Sequence, residues 1–133
     1  MVVVDAGVLA VALVDDGSNG ALARERLRDE TIAAPSLIDL EVLSVCRGLM
    51  RGGLIERDRA QFALDRLGVV PLTRYEHTAF LSRCWELRDN LTPYDAVYVA
   101  LAEALFVPLV TSDVRLSRAA GRHCAVEVLA VSN

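Results

Sequence analysis

Four acidic residues, each beside a short apolar segment, are the residues of this sequence best suited to chemistry: Asp5, Glu41, Asp95 and Asp113. If they converge, two carboxylates about 5 Å apart repel by roughly 3 kcal/mol at an effective dielectric near 20. Such a cluster is poorly tolerated unless cations or protons neutralise it. Oxygen ligands without His or Cys select a hard divalent ion, Mg²⁺ or Mn²⁺. The chemistry within reach is metal-assisted hydrolysis, in which the ion lowers the pKa of a water and neutralises charge on a phosphodiester.

Asp95 lies in the segment "LTPYDAVYVALAEALF", residues 91–106, where nearly every later residue is apolar and Glu103 is the only later charge. Thr92 is suited to the N-cap of a helix and Pro93 to its first position, which places Asp95 at the third. This arrangement resembles a capping box with Asp in place of Glu. A local capping role and a role in an acidic site therefore both remain open for Asp95.

The other three acids also have local alternatives. Asp5 could bond the amides at the start of the helix that follows it, and Asp113 could cap its own helix after Ser112. Glu41 could be a solvated helix residue. At helical spacing, however, it shares a stripe with small or apolar residues: Leu37, Ser44 and Gly48. We therefore expect its carboxylate to be partly buried or directed into a shared cavity.

The composition is that of one compact domain. The 133 residues are enough to bury a core, and 53% of them are hydrophobic, which argues against disorder. The cysteines, Cys46, Cys84 and Cys124, are too few and too scattered for a disulfide framework or a zinc site, so we expect small buried residues in a reducing compartment. No basic segment precedes the first apolar run, and no apolar stretch would span a bilayer. These features predict a cytoplasmic protein without a signal peptide or a membrane span.

The charged residues exclude several functions. All 14 basic residues are arginine, and the formal net charge is −4. Without lysine there can be no Walker A phosphate lysine, no Schiff base and no lysine-assisted aspartyl phosphorylation. The acidic balance argues against broad nucleic-acid binding, but it is compatible with a nuclease whose metal-binding acids add negative charge.

Short apolar strands alternate with helices along the chain. The predicted strands are residues 2–4, 31–35, 68–72, 107–112 and 125–131. The predicted helices are residues 6–14, 21–30, 36–50, 55–67, 74–90, 92–106 and 113–121. Ser18 or Asn19 is the expected cap of the second helix. This alternation predicts an α/β domain with a parallel sheet that is covered by helices on both faces.

Two of the acids fall where such a sheet places its functional site, outside the carboxyl ends of the strands. Asp5 directly follows the first strand, and Asp113 follows the strand predicted over 107–112. Asp95 is at the start of the helix that leads into that strand, so its distance from the sheet edge depends on helix packing.

Four segments, in this order, resemble motifs of the PIN domain: "VVVDAGVL", "PSLIDLEVLSVCRGL", "LTPYDAVYVALAE" and "LVTSDVRLSRAAG". They run over almost the whole chain. In size and layout the sequence resembles the VapC-type toxins of bacterial toxin–antitoxin pairs. The resemblance implies a single PIN domain over residues 1–133 with a three-layer α/β/α fold.

The resemblance also implies an activity, metal-dependent endoribonuclease, with tRNA or rRNA as the RNA substrate. Carried over residue by residue, the catalytic acids would be Asp5, Glu41, Asp95 and Asp113, with Thr111 as the hydroxyl beside the last acid. Asp5, Asp95 and Asp113 would hold Mg²⁺, with Mn²⁺ as the alternative. Attack by water on the phosphodiester would leave a 5′-phosphate and a 3′-hydroxyl.

The same resemblance implies protein partners. We expect a homodimer and a cognate VapB-type antitoxin that blocks the site, often through an arginine that reaches the acids. Together they would form a heterotetramer or a larger complex.

Arginines near the acids are candidates for phosphate contacts. Arg47 and Arg51 follow Glu41, whereas Arg115 and Arg118 lie on the helix that begins at the predicted site. For any one of them, an ordinary solvated or ion-paired arginine is the simpler alternative. Arg115 and Arg118 are the better candidates for RNA phosphates because of where their helix begins.

Two other functions fit parts of the sequence. A haloacid-dehalogenase-like phosphatase also has Asp after its first strand, but it would need a second Asp where this chain has Gly7, and a lysine. A catalytically silent PIN-like binding module would be favoured by the loss of one acid, and none of the four is missing. His77 and His123 lie outside the motifs, so we expect them to be surface or packing residues.

Overall fold

The computed structural model describes residues 1–131 and contains one five-stranded sheet. The strands are β1 (Val2–Val4), β2 (Ile32–Pro35), β3 (Leu72–Tyr75), β4 (Leu109–Thr111) and β5 (Val126–Val128). The α-helices are α1 (Ala6–Val14), α2 (Ser18–Leu27), α3 (Ile38–Arg51), α4 (Arg57–Leu67), α5 (Leu81–Glu86), α6 (Pro93–Leu105) and α7 (Val114–Ala120). A 3₁₀ turn, Thr78–Phe80, precedes α5.

The sheet is wholly parallel, and its strands lie in the order β3-β2-β1-β4-β5. Right-handed crossovers place the helices that connect β1, β2 and β3 on one face and those that lead to β4 and β5 on the other. On the first face α1 packs against α2, α3 and α4. On the second face α6 packs on β1, β2 and β4, and α7 packs on β4 and β5. The predicted three-layer α/β/α architecture is confirmed.

The core consists of the central strands and the helices that cover them. Every residue of β1, β2 and β4 is buried, which explains why these strands have continuous apolar sequences rather than alternating ones. In α6 each residue from Ala96 to Ala102 is buried, because the sheet covers one side of the helix and α5 packs against it as well. An amphipathic pattern is therefore weak in α6.

The connections change direction beside β1, because β2 and β3 lie on one side of it and β4 and β5 on the other. Such a switch point leaves a crevice outside the carboxyl ends of two adjacent strands. Here the strands are β1 and β4, paired at Val4 and Val110. The amide of Asp5 donates to the carbonyl of Val110 at 3.1 Å, so Asp5 is fixed at the sheet edge beside the end of β4.

One strand and one helix were predicted in the wrong place. The strand predicted over 68–72 is wrong, because β3 begins at Leu72, the last residue of that range. The helix predicted over 74–90 is too long, because only the 3₁₀ turn and α5 form within that range. The charged residue Arg74 interrupts the apolar pattern that is typical of a buried strand. In the structure its guanidinium donates hydrogen bonds of 2.7 and 2.8 Å to the carboxylate of Asp39. Because β3 is an edge strand, it tolerates such polar residues.

The predicted cap of the second helix is also wrong. Helix α2 begins at Ser18 with Gly17 as its N-cap, so neither Ser18 nor Asn19 occupies the capping position. Asp15 supplies the acceptor instead, because its Oδ1 accepts from the amides of Gly17 at 2.6 Å and Gly20 at 3.3 Å. The carboxylate of Asp15, which precedes the helix, thus accepts hydrogen bonds from backbone amides at the start of α2, a role that was predicted for Ser18 or Asn19.

The histidines are surface or packing residues as expected, whereas the prediction of buried cysteines holds fully only for Cys46. Cys46 is buried, while Cys84 and Cys124 are only partly buried, and all are free thiols. His77 is largely exposed beside Glu76, and Nδ1 of His123 lies 3.4 Å from Arg83. In the described part of the chain, no helix combines the length and the apolar character needed to cross a membrane.

Candidate active site

Asp5 is held rigidly at the end of β1. It is the N-cap of α1, and its Oδ1 accepts from the amide of Val8 at 2.9 Å. Its Oδ2 accepts a hydrogen bond from the hydroxyl of Thr111, which is fully buried at the end of β4. The local capping alternative for Asp5 is therefore correct, but the second oxygen is bound across the switch point rather than within its own helix.

Thr111 connects Asp5 to Asp113. While its hydroxyl donates to Asp5, its Oγ1 accepts from the amide of Asp113 at 3.0 Å. Asp113 is the N-cap of α7, where Oδ1 accepts from the amide of Leu116 at 3.1 Å. Capping thus uses only the Oδ1 of Asp113. Its Oδ2 lies 4.0 Å from Nη2 of Arg115.

Asp95 lies in the first turn of α6, and the capping of this helix does not use its carboxylate as the acceptor. The N-cap is Thr92, whose Oγ1 accepts from the amide of Asp95 at 3.2 Å. The Oδ2 of Asp95 lies 4.0 Å from Nη2 of Arg115, the same nitrogen that lies 4.0 Å from Oδ2 of Asp113. The carboxylates of Asp95 and Asp113 therefore face one guanidinium and lie at most about twice that distance apart.

Glu41 is half-buried on α3, as its apolar stripe predicted. Its Oε1 accepts from the hydroxyl of Tyr98 on α6 at 2.6 Å, across the carboxyl edge of the sheet. Tyr98 is almost fully buried. Burial, followed by the hydrogen bond to Glu41, raises the pKa of Tyr98, so its hydroxyl stays protonated and acts as the donor.

Sequence reasoning missed Tyr98. It follows Asp95 by three positions, which places both on neighbouring turns of α6. A tyrosine within an otherwise aliphatic buried helix needs a partner for its hydroxyl, and this requirement is a signal that the sequence does contain. The identity of that partner, Glu41 on another helix, cannot be read from the sequence.

The acids perturb one another. Burial raises the pKa of Asp5, and repulsion from Asp113 and Asp95 adds to it, while the bonds from Thr111 and Val8 oppose it. Burial and repulsion from Asp95 and Asp5 likewise raise the pKa of Glu41, against the bond from Tyr98.

Asp95 behaves in the same way. Burial raises its pKa, Arg115 lowers it, and repulsion from Asp113 raises it further. All four carboxylates therefore contribute to one region of negative potential, and Arg115, with 83% of its side chain exposed, is the cation found beside it.

We expect the metal-free protein to lose stability as the pH rises from the ordinary pKa values of its buried carboxyl groups towards neutral pH. Asp5, Glu41 and Asp95 have folded-state pKa values above their ordinary values of 3.8, 4.5 and 3.8, so the folded state binds more protons than the unfolded state in this range. Their contribution is fully present below the ordinary values and is lost as the pH rises through the folded-state values. Thermal unfolding in EDTA across this range measures the effect. A metal-free protein that becomes more stable over the same range would contradict it.

We expect Tyr98→Phe to move the acidic limb of a pH–rate profile for cleavage to higher pH. The hydrogen bond from Tyr98 lowers the pKa of Glu41, so its loss raises that pKa further, and Glu41 ionises only at higher pH. The matched control is Tyr75→Phe, the same change in β3. An acidic limb that stays in place in Tyr98→Phe would show that Glu41 does not control the rate.

The structure brings some predicted residues together and leaves others apart. Arg115 lies beside the acids, whereas Arg118 is exposed on α7, and among residues 1–131 no ion pair joins it to an acid. Arg47 and Arg51 are exposed on α3. Arg115 is therefore the best placed of the predicted phosphate contacts.

The donor set fits a hard divalent ion in its chemistry. All donors are oxygens, and the acids carry more negative charge than Arg115 offsets. Within residues 1–131, no three His, Cys, Asp or Glu side chains form a ready-made ion site. An ion that keeps several water ligands and contacts one or two carboxylates directly, as Mg²⁺ commonly does, suits such an arrangement. The assignment of Mg²⁺ to Asp5, Asp95 and Asp113 stays a prediction.

Comparison with known sequences gives the class to which this fold and site belong. The profile of the PIN domain matches residues 2–122. The chain belongs to the PIN domain family, as its motifs predicted, and all four acids lie within the matched region.

Within that family the chain is similar to VapC ribonucleases over nearly its full length. It is 39% identical to Ribonuclease VapC1 of Mycobacterium tuberculosis over 128 residues, which are 96% of each protein. It is 39% identical to VapC ribonuclease Mb0985 of Mycobacterium bovis over 129 residues, 97% of this chain and 98% of that one. Ribonuclease VapC12 of Mycobacterium tuberculosis is 35% identical over 130 residues, 98% of this chain and 100% of that one. The resemblance to the VapC type is confirmed.

Proposed function

We propose that this protein is a Mg²⁺- or Mn²⁺-dependent endoribonuclease and the toxin of a VapBC-type toxin–antitoxin pair. The observation that carries the proposal is the convergence of acids from separate parts of the chain at the switch point between β1 and β4, joined by Thr111. The similarity to proteins named VapC ribonucleases supports the same substrate class.

The acids divide two tasks in this scheme. Asp5, Asp95 and Asp113 would hold the ion, one or two of them directly and the rest through its water ligands, and the bonds of Asp5 to Val8 and Thr111 keep its carboxylate oriented. When bound, Mg²⁺ or Mn²⁺ supplies a water of lowered pKa and positive charge against the phosphodiester.

Glu41 is suited to accept the proton of the attacking water. Tyr98 holds Oε1, so the proton would go to Oε2. The raised pKa of Glu41 brings it nearer to neutral pH, which favours proton transfer. Attack in line with the leaving oxygen would leave a 5′-phosphate and a 3′-hydroxyl.

Arg115 would contact the RNA backbone. Its guanidinium lies beside Asp95 and Asp113 and is mostly exposed, so it can exchange a carboxylate for an incoming phosphate without leaving the site. A backbone contact of this kind positions RNA but carries no sequence information.

The test of the proposed function is to sequence RNA ends after controlled expression and after incubation of RNA with purified protein. We expect discrete internal cuts that carry 5′-phosphate and 3′-hydroxyl ends. Intact RNA at every metal condition would favour the catalytically silent PIN-like module. Release of phosphate from small phosphomonoesters would favour the phosphatase, which the absence of lysine and the presence of Gly7 argue against.

We also propose that the protein forms a homodimer and binds a cognate VapB-type antitoxin. Apolar side chains near the site support an interface, since Leu81 and Tyr94, which line one small cavity together, are 56% and 62% exposed. Exposed apolar residues that cluster in this way commonly mark a surface covered by protein.

Light scattering of the purified protein should give the mass of a dimer, and co-expression with a neighbouring small reading frame should restore growth to cells that express the protein. A stable monomer that is harmless in cells would count against the toxin assignment.

A further inference from the structure

A cavity of about 600 Å³ adjoins the acids on the side of α5 and α7. Asp95 and Arg115, which belong to the candidate active site, also line this cavity. Its apolar lining comprises Cys84, Leu91 and Leu116 among others, and its remaining polar lining is formed by residues 88–90, which follow α5, and by Thr92. A group bound there would therefore lie next to whatever the acids hold.

The cavity contains the single tryptophan of the chain. Trp85 is 68% exposed, although a large aromatic side chain normally gains stability from burial. The guanidinium of Arg88 lies 4.7 Å from the centre of its ring, and Nη1 of Arg88 donates to the backbone carbonyl of Trp85 at 2.9 Å. The residue pair is thus preorganised into a flat aromatic surface with a cation against it.

The remaining polar groups of the lining match the edge of a nucleobase. Asp89 is an acceptor for exocyclic amino groups, and the amide of Asn90 is both donor and acceptor. Single-stranded RNA is recognised chiefly in this way, by bases stacked on aromatic or arginine planes and hydrogen-bonded along their edges. The apolar part of the lining accommodates the face of a base, and Arg88 and Arg115 provide cations for the adjoining phosphates.

We propose that this cavity is a base-binding subsite, in which one unstacked nucleotide next to the scissile phosphate stacks on Trp85. The inference rests on the proposed ribonuclease function, since continuity with Asp95 and Arg115 identifies the occupant as part of the same RNA. Asp89 and Asn90 then discriminate among bases. The subsite would give the enzyme a preference for particular bases at one nucleotide position beside the cleaved phosphodiester.

Binding can be measured without cleavage, because Trp85 is the only tryptophan and its fluorescence reports on this cavity alone. The protein used is Asp5→Asn, which should not cut and whose changed residue does not line the cavity. We expect short single-stranded RNA to quench the fluorescence in a saturable manner. The same RNA with one abasic position should quench much less when that position faces the cavity.

Substitution of Trp85 tests the role of the ring. Stacking of one base is worth a factor of roughly 5 to 150 in affinity, so we expect Trp85→Ala to raise the Kd or KM for RNA by this factor and Trp85→Phe to recover most of it. The matched control is Phe62→Ala, which removes an exposed ring that also has an arginine, Arg66, 5.9 Å from its centre but lies outside the cavity. This control should leave RNA binding and cleavage unchanged.

The outcomes separate the subsite from the proposed function. If the natural protein cleaves RNA and Trp85→Ala has an unchanged Kd and KM for RNA, the subsite is overturned and the proposed function stands. Base-dependent quenching in Asp5→Asn, together with intact RNA after incubation with the natural protein at every metal condition, supports the subsite and overturns the function. Fluorescence that responds to protein concentration but not to RNA would show that a second copy of the chain covers Trp85, and it would overturn the subsite.

Discussion

Asp95→Asn should abolish nearly all RNA cleavage while leaving the metal-free protein as stable as before or more stable. The carboxylate of Asp95 is half-buried, its pKa is raised by burial, and Asp113 repels it. Removing its charge relieves this cost at neutral pH. The hydrogen bond that caps α6 is retained, because the Oγ1 of Thr92 accepts from the backbone amide of residue 95, which Asn also has.

Loss of the charge removes a ligand from the proposed ion. Outer-shell partners of a metal site already cost about 10- to 100-fold when changed, so a direct ligand should cost at least about 100-fold in cleavage. The measurements are the melting temperature in EDTA and the cleavage rate with Mg²⁺. Together they separate a ligand from a helix cap, which the sequence alone left open.

The matched control for Asp95→Asn is Asp58→Asn. Asp58 is also an acid in the first turn of a helix, α4, but it is exposed and lies outside the acidic site. It should lose only the small stabilisation of a negative charge at a helix N-terminus, about 0.3–1 kcal/mol, and keep full cleavage. An Asp95→Asn protein that melts earlier and still cuts RNA would return Asp95 to a purely structural role.

Removal of divalent ions should stop cleavage completely, and added Mg²⁺ or Mn²⁺ should restore it. The acids of the site repel one another and have only oxygen donors, so a hard cation both neutralises them and suits their chemistry. The same ion should raise the stability of the folded protein, by about 2.7 kcal/mol at a concentration 100 times its Kd. It should also remove most of the stability loss that the metal-free protein shows as the pH rises towards neutral, because a bound cation favours the ionised carboxylates.

Full cleavage in excess chelator would contradict the metal scheme. Activity with zinc alone would contradict the ligand argument, since zinc favours nitrogen and sulfur donors. Asp95→Asn serves as the control for stability, because the ion should raise its melting temperature much less than that of the natural protein. A similar rise in both proteins would place the ion elsewhere.

The sequence by itself determined the architecture and the positions of two of the acids, Asp5 and Asp113. Alternating short apolar strands and helices require a parallel sheet with both faces covered, and a residue that directly follows a strand must lie at the carboxyl edge. The strand pattern therefore predicts the positions of Asp5 and Asp113 at the sheet edge correctly. The capping roles suggested for both were also correct, because an N-cap depends only on residues within one turn.

Local signals failed where a tertiary contact compensates for an unfavourable residue. Strand β3 includes Arg74, whose guanidinium is paired there with Asp39 on α3 and with the carbonyl of Leu67. The start of α2 is served by Asp15 from the preceding turn rather than by the serine or asparagine that local preference selects. In both cases the stabilising group lies outside the segment whose pattern was read.

Only the tertiary structure decided which groups face one another. Tyr98 bonds Glu41 because α6 and α3 meet at the same sheet edge, although 57 positions separate the two residues. Arg115 faces Asp95 because α7 follows the strand that lies beside β1, and the same packing leaves Trp85 beside a cavity that reaches the acids. Strand order and helix packing set these distances, and both depend on the burial of the whole core, so no local pattern of residues specifies them.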